Sequence, residues 1–185
     1  RDFFVKKAKK SGYVSRAAFK LLEIDKKFNL ISKAENILEF GSAPGGWSQA
    51  VFEINKKVKM HAFDLLDMKF NHPNLNFLKE DFINFDYSQF YKKFDLIISD
   101  IAPNTIGHQS TDHLRIISMI EDIIVILDEI SLPQSSFICK IWKGSEESNI
   151  IKLLKLRYEY VNYYKPKSTR NESSEIFIVA NKYMK

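Results

Sequence analysis

A chain of 185 residues with 45% hydrophobic and 28% charged side chains has a globular make-up, which excludes a wholly disordered or fibrous protein. Its net charge of +5 lies entirely within residues 1–16, where Arg1, Lys6, Lys7, Lys9, Lys10 and Arg16 face only Asp2. A single cysteine, Cys139, excludes an internal disulfide framework and zinc sites built on paired cysteines.

In chain order, the basic segment 1–16 comes first, interleaved with Phe3, Phe4 and Tyr13. It reads either as a solvated amphipathic helix or basic tail, or as an electrostatic footprint for a nucleic-acid backbone with rings that stack on bases. The chain opens at Arg1 without a methionine, as a trimmed product would, and the expected setting is intracellular, in cytoplasm or an organelle. Ser15 is placed to cap a helix whose Ala17, Leu21, Ile24 and Phe28 follow a 3.6-residue period. A short buried-type strand, 36–40, leads into the glycine-rich loop 41–46, and Trp47, Ala50, Val51 and Ile54 then mark a second amphipathic helix.

Further strands are expected at 58–63, 75–79, 94–99, 137–142, 158–164 and 175–181, with helices near 112–130 and 146–157. Strand and helix in alternation imply a parallel sheet with helices on both faces. Only about ten residues separate the last two strands, too few for a helical crossover, so they pair antiparallel and the sheet ends in one hairpin strand. No linker or repeat divides the chain, and 1–185 reads as one monomeric domain. The longest aliphatic run, residues 123–127, is far short of the roughly 20 residues of a membrane span. The four histidines are scattered, so no metal cluster is expected.

In an open parallel sheet, ligands bind beyond the carboxyl ends of the strands, beside the switch point. The run Gly41-Ser-Ala-Pro-Gly-Gly46 stands there without a GxGxxG fingerprint or a Gly-Lys-Ser/Thr phosphate loop. Glycine there lets the backbone approach a ligand without hindrance from a Cβ. Asp64, Asp81 and Asp100 recur just past the second, third and fourth strands. Any one of them could be a turn aspartate. Together they suit an adenosine-bearing cation: Asp64 accepting from ribose hydroxyls, Asp81 from an adenine amino group, and Asp100 facing the positive centre of S-adenosylmethionine.

The segment Ile37-Leu-Glu-Phe-Gly-Ser-Ala-Pro-Gly-Gly-Trp-Ser-Gln49 resembles the cofactor motif of the FtsJ/RrmJ family of RNA ribose 2′-O-methyltransferases. Four more segments match in order: Ser15-Arg-Ala-Ala-Phe-Lys-Leu21, Asp95–Asn104, Phe137-Ile-Cys-Lys-Ile-Trp142 and Lys165–Ala180. The resemblance implies the class I methyltransferase fold, an α/β Rossmann-like sheet of seven strands with one antiparallel strand near the C-terminus. It implies a catalytic Lys-Asp-Lys-Glu set at Lys20, Asp100, Lys140 and Glu175, and cofactor contacts at Gly45, Trp47, Asp64, Asp81 and Asp100. Asp112-His113 is similar to an Asp-His pair of the family, and Asp112 also suits a helix cap.

Ribosomal RNA of the large subunit, methylated at a uridine, is the expected substrate, free or within a ribosomal subunit. A transfer RNA anticodon loop stands second, on the likeness of residues 167–174 to that branch, and an mRNA cap ribose third. A non-catalytic RNA-binding domain or a small-molecule methyltransferase are the readings of other classes.

A ribose 2′-hydroxyl is a poor nucleophile, so the protein must orient it and remove its proton. On this reading Lys140 deprotonates or orients the hydroxyl while Asp100 holds Lys140. Lys20 stabilises the developing oxyanion, and Glu175 orients the lysines. Burial and a second ammonium would lower the pKa of Lys140, and the two carboxylates would raise it. Plainer readings are a snorkelling Lys20 and a solvent-exposed Glu175, with Cys139 a small core residue. Lys140 resists such a reading, because it interrupts an apolar strand where an unpaired charge is costly.

Overall fold

The computed structural model describes residues 3–102, 109–144 and 147–185, without the side chains of residues 109, 110 and 113. Arg1, Asp2, Pro103, Asn104 and the side chain of His113 therefore lie outside the described residues.

Seven strands form one sheet: β1 (Asn36–Phe40), β2 (Lys59–Phe63), β3 (Leu75–Leu78), β4 (Phe94–Ser99), β5 (Ser131–Trp142), β6 (Tyr158–Tyr164) and β7 (Glu175–Tyr183). Their order is β3-β2-β1-β4-β5-β7-β6. All pairings from β3 to β5 are parallel, and β7 runs antiparallel to both β5 and β6. The expected β6–β7 hairpin is present, but its second strand is not the edge. It slots between β5 and β6, where alternate residues bury on both faces, and β6 becomes the edge.

Among the described residues five α-helices flank the strands: α1 (Phe3–Lys10), α2 (Ala17–Phe28), α3 (Gly46–Ile54), α4 (Gln109–Ile130) and α5 (Glu147–Lys155). The strand period of two sends alternate side chains into two cores. Leu38, Phe40, Ile97 and Ile178 pack with Ile124 of α4 and Ile150 of α5. Ile37, Ile98 and Phe177 pack on the opposite face with Leu21 and Ile24 of α2 and with Trp47 and Val51 of α3. Burying each such large side chain contributes about 1.5–3 kcal/mol.

The basic N-terminal segment is helical from Phe3 to Lys10, with Ala8 buried. Phe4 and Tyr13 both rest against Phe19, at centroid separations of 5.9 and 5.2 Å, which docks this segment on α2. The Ser15 hydroxyl accepts from the Ala17 N–H at 3.1 Å, the role its sequence position suggests. Asp112 lies in the first turn of α4, three residues inside a helix that begins at Gln109, and is buried. Strand β5 starts six residues before the expected Phe137, because its ladder with β4 resumes across an irregularity between Phe94 and Leu96.

Candidate active site

The strand order reverses between β1 and β4, and the chain leaving β1 turns there through residues 41–46. The N–H groups of Gly41 and Ser42 donate to the Phe63 carbonyl at 2.9 and 3.1 Å, pinning the loop to the end of β2. The Ala43–Pro44 peptide is cis. A Cβ on Gly41 would lie 2.9 Å from Ile101 Cα, and one on Gly46 would lie 2.9 Å from Ser15 Cβ. On Gly45, at φ 114°, it would lie 2.6 Å from Phe70 Cβ and 2.7 Å from Met68 Sδ. At these three positions the protein's own packing already meets the missing side chain.

Beside the loop opens a cavity of about 560 Å³, lined by Asp64, Asp81 and Asp100 together with Gly41, Ala43 and Phe82. The three acids singled out in the sequence thus face one space. Asp64 accepts from the Ala43 N–H at 2.8 Å and the Leu66 N–H at 2.9 Å. Asp81 accepts from the Ile83 N–H at 3.0 Å and from Asn84 Nδ2 at 2.8 Å. Both therefore also act as turn aspartates, and each oxygen keeps a further lone pair for a ligand hydroxyl or amine. Arg115, Ser118 and Asp122 add a polar wall from α4 that sequence reasoning missed, although their spacing of three and four marks one helix face.

Gly45 and Trp47 lie outside that lining. Gly45 caps α3, and Trp47 is 1% exposed, its Nε1 donating to the Ala17 carbonyl at 3.0 Å. Both residues build the loop and tie α3 to α2. Beneath the loop, Glu39 is wholly buried and accepts from Ser48 Oγ at 2.5 Å. Burial pushes its carboxyl well above the usual range against the pull of that hydrogen bond, and Asp100 and Asp64 add repulsion.

The four catalytic candidates come from three elements and from the position just past β4, and they form two ion pairs. Lys20 of α2 donates to Glu175 at the start of β7. Lys140 of β5 lies 3.2 Å from Asp100 Oδ1 and donates to the Asp100 carbonyl at 3.3 Å. Both lysines are 8% exposed, so neither is a snorkelling surface residue. Asp100 Oδ1 is buried, and among the described residues its charged neighbour is Lys140, which makes no well-aligned hydrogen bond to it.

Burial alone would lower the pKa of Lys140, but the negative charges of Asp100 and Glu175 outweigh it and hold the ammonium above its ordinary value. Of the opposed influences named from the sequence, the carboxylates win. Burial pushes the Cys139 thiol up to about 12, which leaves it an inert core group. Among the described residues no cluster of His, Cys, Asp and Glu could hold a metal ion, and no helix is long and apolar enough to cross a membrane.

A sheet of this order, turning at its switch point onto an acid-lined cavity, belongs to the class I S-adenosylmethionine-dependent methyltransferases. The residues fit that cofactor: carboxylates for hydroxyl and amino groups, and buried Asp100 Oδ1 for a cationic neighbour. When bound, the cofactor supplies an electrophilic sulfonium methyl group.

A profile of the FtsJ-like methyltransferases matches residues 13–183, and the chain belongs to that family. It is 39% identical over 184 residues to ribosomal RNA large subunit methyltransferase E of Granulibacter bethesdensis, covering 97% of this chain and 79% of that protein. The protein of the same name from Zymomonas mobilis is 36% identical over 190 residues, with 98% and 84% covered. Among solved structures, one titled as a ribosomal RNA methyltransferase of Plasmodium falciparum superposes with a TM-score of 0.80 at 30% identity, covering 93% of this chain and 99% of that one. A tRNA methyltransferase of Aquifex aeolicus, at TM-score 0.62 and 11% identity, shares the fold; the alignment covers 90% of this chain and 69% of that one.

Proposed function

We propose that the protein transfers a methyl group to a ribose 2′-hydroxyl of RNA, at a uridine of large-subunit ribosomal RNA, through Lys20, Asp100, Lys140 and Glu175. The observation that carries the reading is that Asp100, which lines the cavity, pairs with Lys140, on which the charge of Glu175, itself paired with Lys20, also acts. The relatives named as large-subunit ribosomal RNA methyltransferases support the choice of RNA.

Asp64 accepts from the cofactor's ribose hydroxyls and Asp81 from its adenine amino group, while Asp100 balances its positive charge. Gly45 and Trp47 act by shaping the loop beneath it. Lys140, held protonated, orients the nucleophile by donating to its oxygen, and Asp100 Oδ1 is the acceptor that can take the hydroxyl proton. Lys20 faces the same charge as it develops, and Glu175 keeps Lys20 in place. The lysines of α1 guide the phosphate backbone towards this site.

The test is methyl transfer from tritiated cofactor to total RNA, followed by mapping of the labelled nucleotide. Label in 2′-O-methyluridine of large ribosomal RNA, lost in Lys140→Ala with cofactor binding intact, is the expected result. Label confined to transfer RNA would overturn the substrate, and unchanged transfer by Lys140→Ala would overturn the role of the tetrad.

A further inference from the structure

Residues 165–174 join β6 to β7 and deliver Glu175 to Lys20, yet they belong to no regular element. Within the segment the Thr169 N–H donates to the Pro166 carbonyl and the Ser173 N–H to the Arg170 carbonyl, both at 3.0 Å. Those bonds shape the segment, and the Lys143 N–H, donating to the Ser174 carbonyl at 3.0 Å, ties its last residue to the end of β5. Glu23 ties its middle to α2. Its Oε2 accepts from the Lys167 N–H at 2.6 Å and its Oε1 from the Ser168 N–H at 3.0 Å, so both carboxylate oxygens grip consecutive peptide groups. Two turns earlier, just before the start of α2, Arg16 Nη2 donates to the Ser168 carbonyl at 3.1 Å.

Glu23 follows Lys20 by three positions on α2, the spacing at which an acid and a lysine ordinarily pair along a helix surface. Here that pairing does not form. Lys20 pairs with Glu175 instead, while both oxygens of Glu23 are taken up by backbone N–H groups. Buried Ser168 and Thr169, 1% and 5% exposed, seat the clamped stretch against the protein.

We infer that Glu23 is a positioning residue for methyl transfer. By clamping the Lys167–Ser168 backbone to α2 it holds the approach to β7, whose first residue is registered opposite Trp142, and by keeping its own charge engaged it leaves Lys20 to Glu175. This rests on the tetrad reading above. Glu23→Gln keeps the size of the side chain but replaces one acceptor oxygen with an amide that faces a backbone donor.

The experiment is a double-mutant cycle on the full chain, measuring single-turnover methyl transfer at saturating RNA and cofactor. Glu23→Gln is expected to slow transfer about tenfold with cofactor affinity unchanged, and to cost less than about twofold more when added to Glu175→Gln. A merely structural contribution would be additive, so a full tenfold loss in both backgrounds overturns the inference, as does a Glu23→Gln rate within twofold of wild type. If Glu175→Gln alone keeps the wild-type rate, the tetrad reading itself falls, and the role of Glu23 with it.

Discussion

Lys20 and Glu175, separated by 155 positions in the chain, are hydrogen-bonded to each other with side chains 10% and 12% exposed. A pair this dry has two separable consequences. Removing one partner leaves the other a nearly buried charge without its nearest counter-ion, a loss of up to about 3–5 kcal/mol, whereas replacing both with apolar groups is often neutral. Lys20→Met should therefore lower the melting temperature, and Lys20→Met/Glu175→Leu should regain most of it. Methyl transfer should fall about a hundredfold or more in both variants, as when a charge-stabilising donor is lost. Melting curves and single-turnover assays on the same preparations check the split.

The pH–rate profile distinguishes the two roles open to Lys140. Its ammonium is held above the ordinary value of 10.5 because Asp100 and Glu175 outweigh the effect of burial. A lysine acting as base from its neutral form would make the rate rise about tenfold per pH unit from neutrality towards that pKa. A lysine that orients as an ammonium gives a level profile from pH 7 to 10 and a fall above it. We expect the level profile at saturating cofactor and RNA.

Charge at the N-terminus should matter for RNA and not for the cofactor. Lys6, Lys7, Lys9 and Lys10 lie on α1, which docks on α2 through Phe4 and Phe19, while the cavity lining contains none of them. Each phosphate contact made by such a lysine contributes a slope of about −0.7 to the logarithmic salt dependence of single-stranded binding. Changing all four to Gln should weaken RNA binding and flatten that dependence, with cofactor affinity constant. Titrations at several salt concentrations decide it, and an unaltered slope would leave these charges as solvation.

Much of this site was legible because its residues break local patterns. Lys140 interrupts an apolar strand, and Asp64, Asp81 and Asp100 stand just past strand ends, so sheet logic alone brings the three acids to one rim. What stayed hidden depends on non-local packing. Periodicity marks β7 as a strand but carries no information that it inserts between β5 and β6. The polar face of α4 at Arg115, Ser118 and Asp122 is visible as spacing, yet only the packed helix shows that it borders the cavity. At Gly45 the sequence suggests close approach of a ligand but not that the side chains of Met68 and Phe70 would also meet a Cβ there.

Gly45→Ala tests that last point. The new methyl would sit 2.6 Å from Phe70 Cβ at a φ of 114°, so both overlap and left-handed strain act at once. Strain of this kind alone costs about 1–2 kcal/mol per residue. The variant should melt at lower temperature even without cofactor. A Gly45→Ala protein as stable as wild type that had lost only cofactor affinity would return the glycine to a purely ligand-facing role.

His61 on β2 should make stability sensitive to mild acid. Its ring lies edge-on to Phe90 at 4.7 Å and to Phe94 at 5.8 Å, and its Nδ1 is buried without a hydrogen-bond partner. Burial first, and then the charge of Lys93, lower its pKa from 6.5 to about 4. Between those values the unfolded chain binds a proton that the folded protein refuses, so stability is complete above pH 6.5 and is lost as pH falls towards 4. The slope approaches about 1.4 kcal/mol per pH unit, reduced because the ring is only partly shielded from water. His61→Phe keeps an aromatic ring and removes the titration. Comparing denaturant melts of both proteins at pH 7, 6 and 5 cancels the shared contribution of the carboxylates. Wild type should lose more stability than the variant at each step, and parallel losses would show that His61 does not carry the effect.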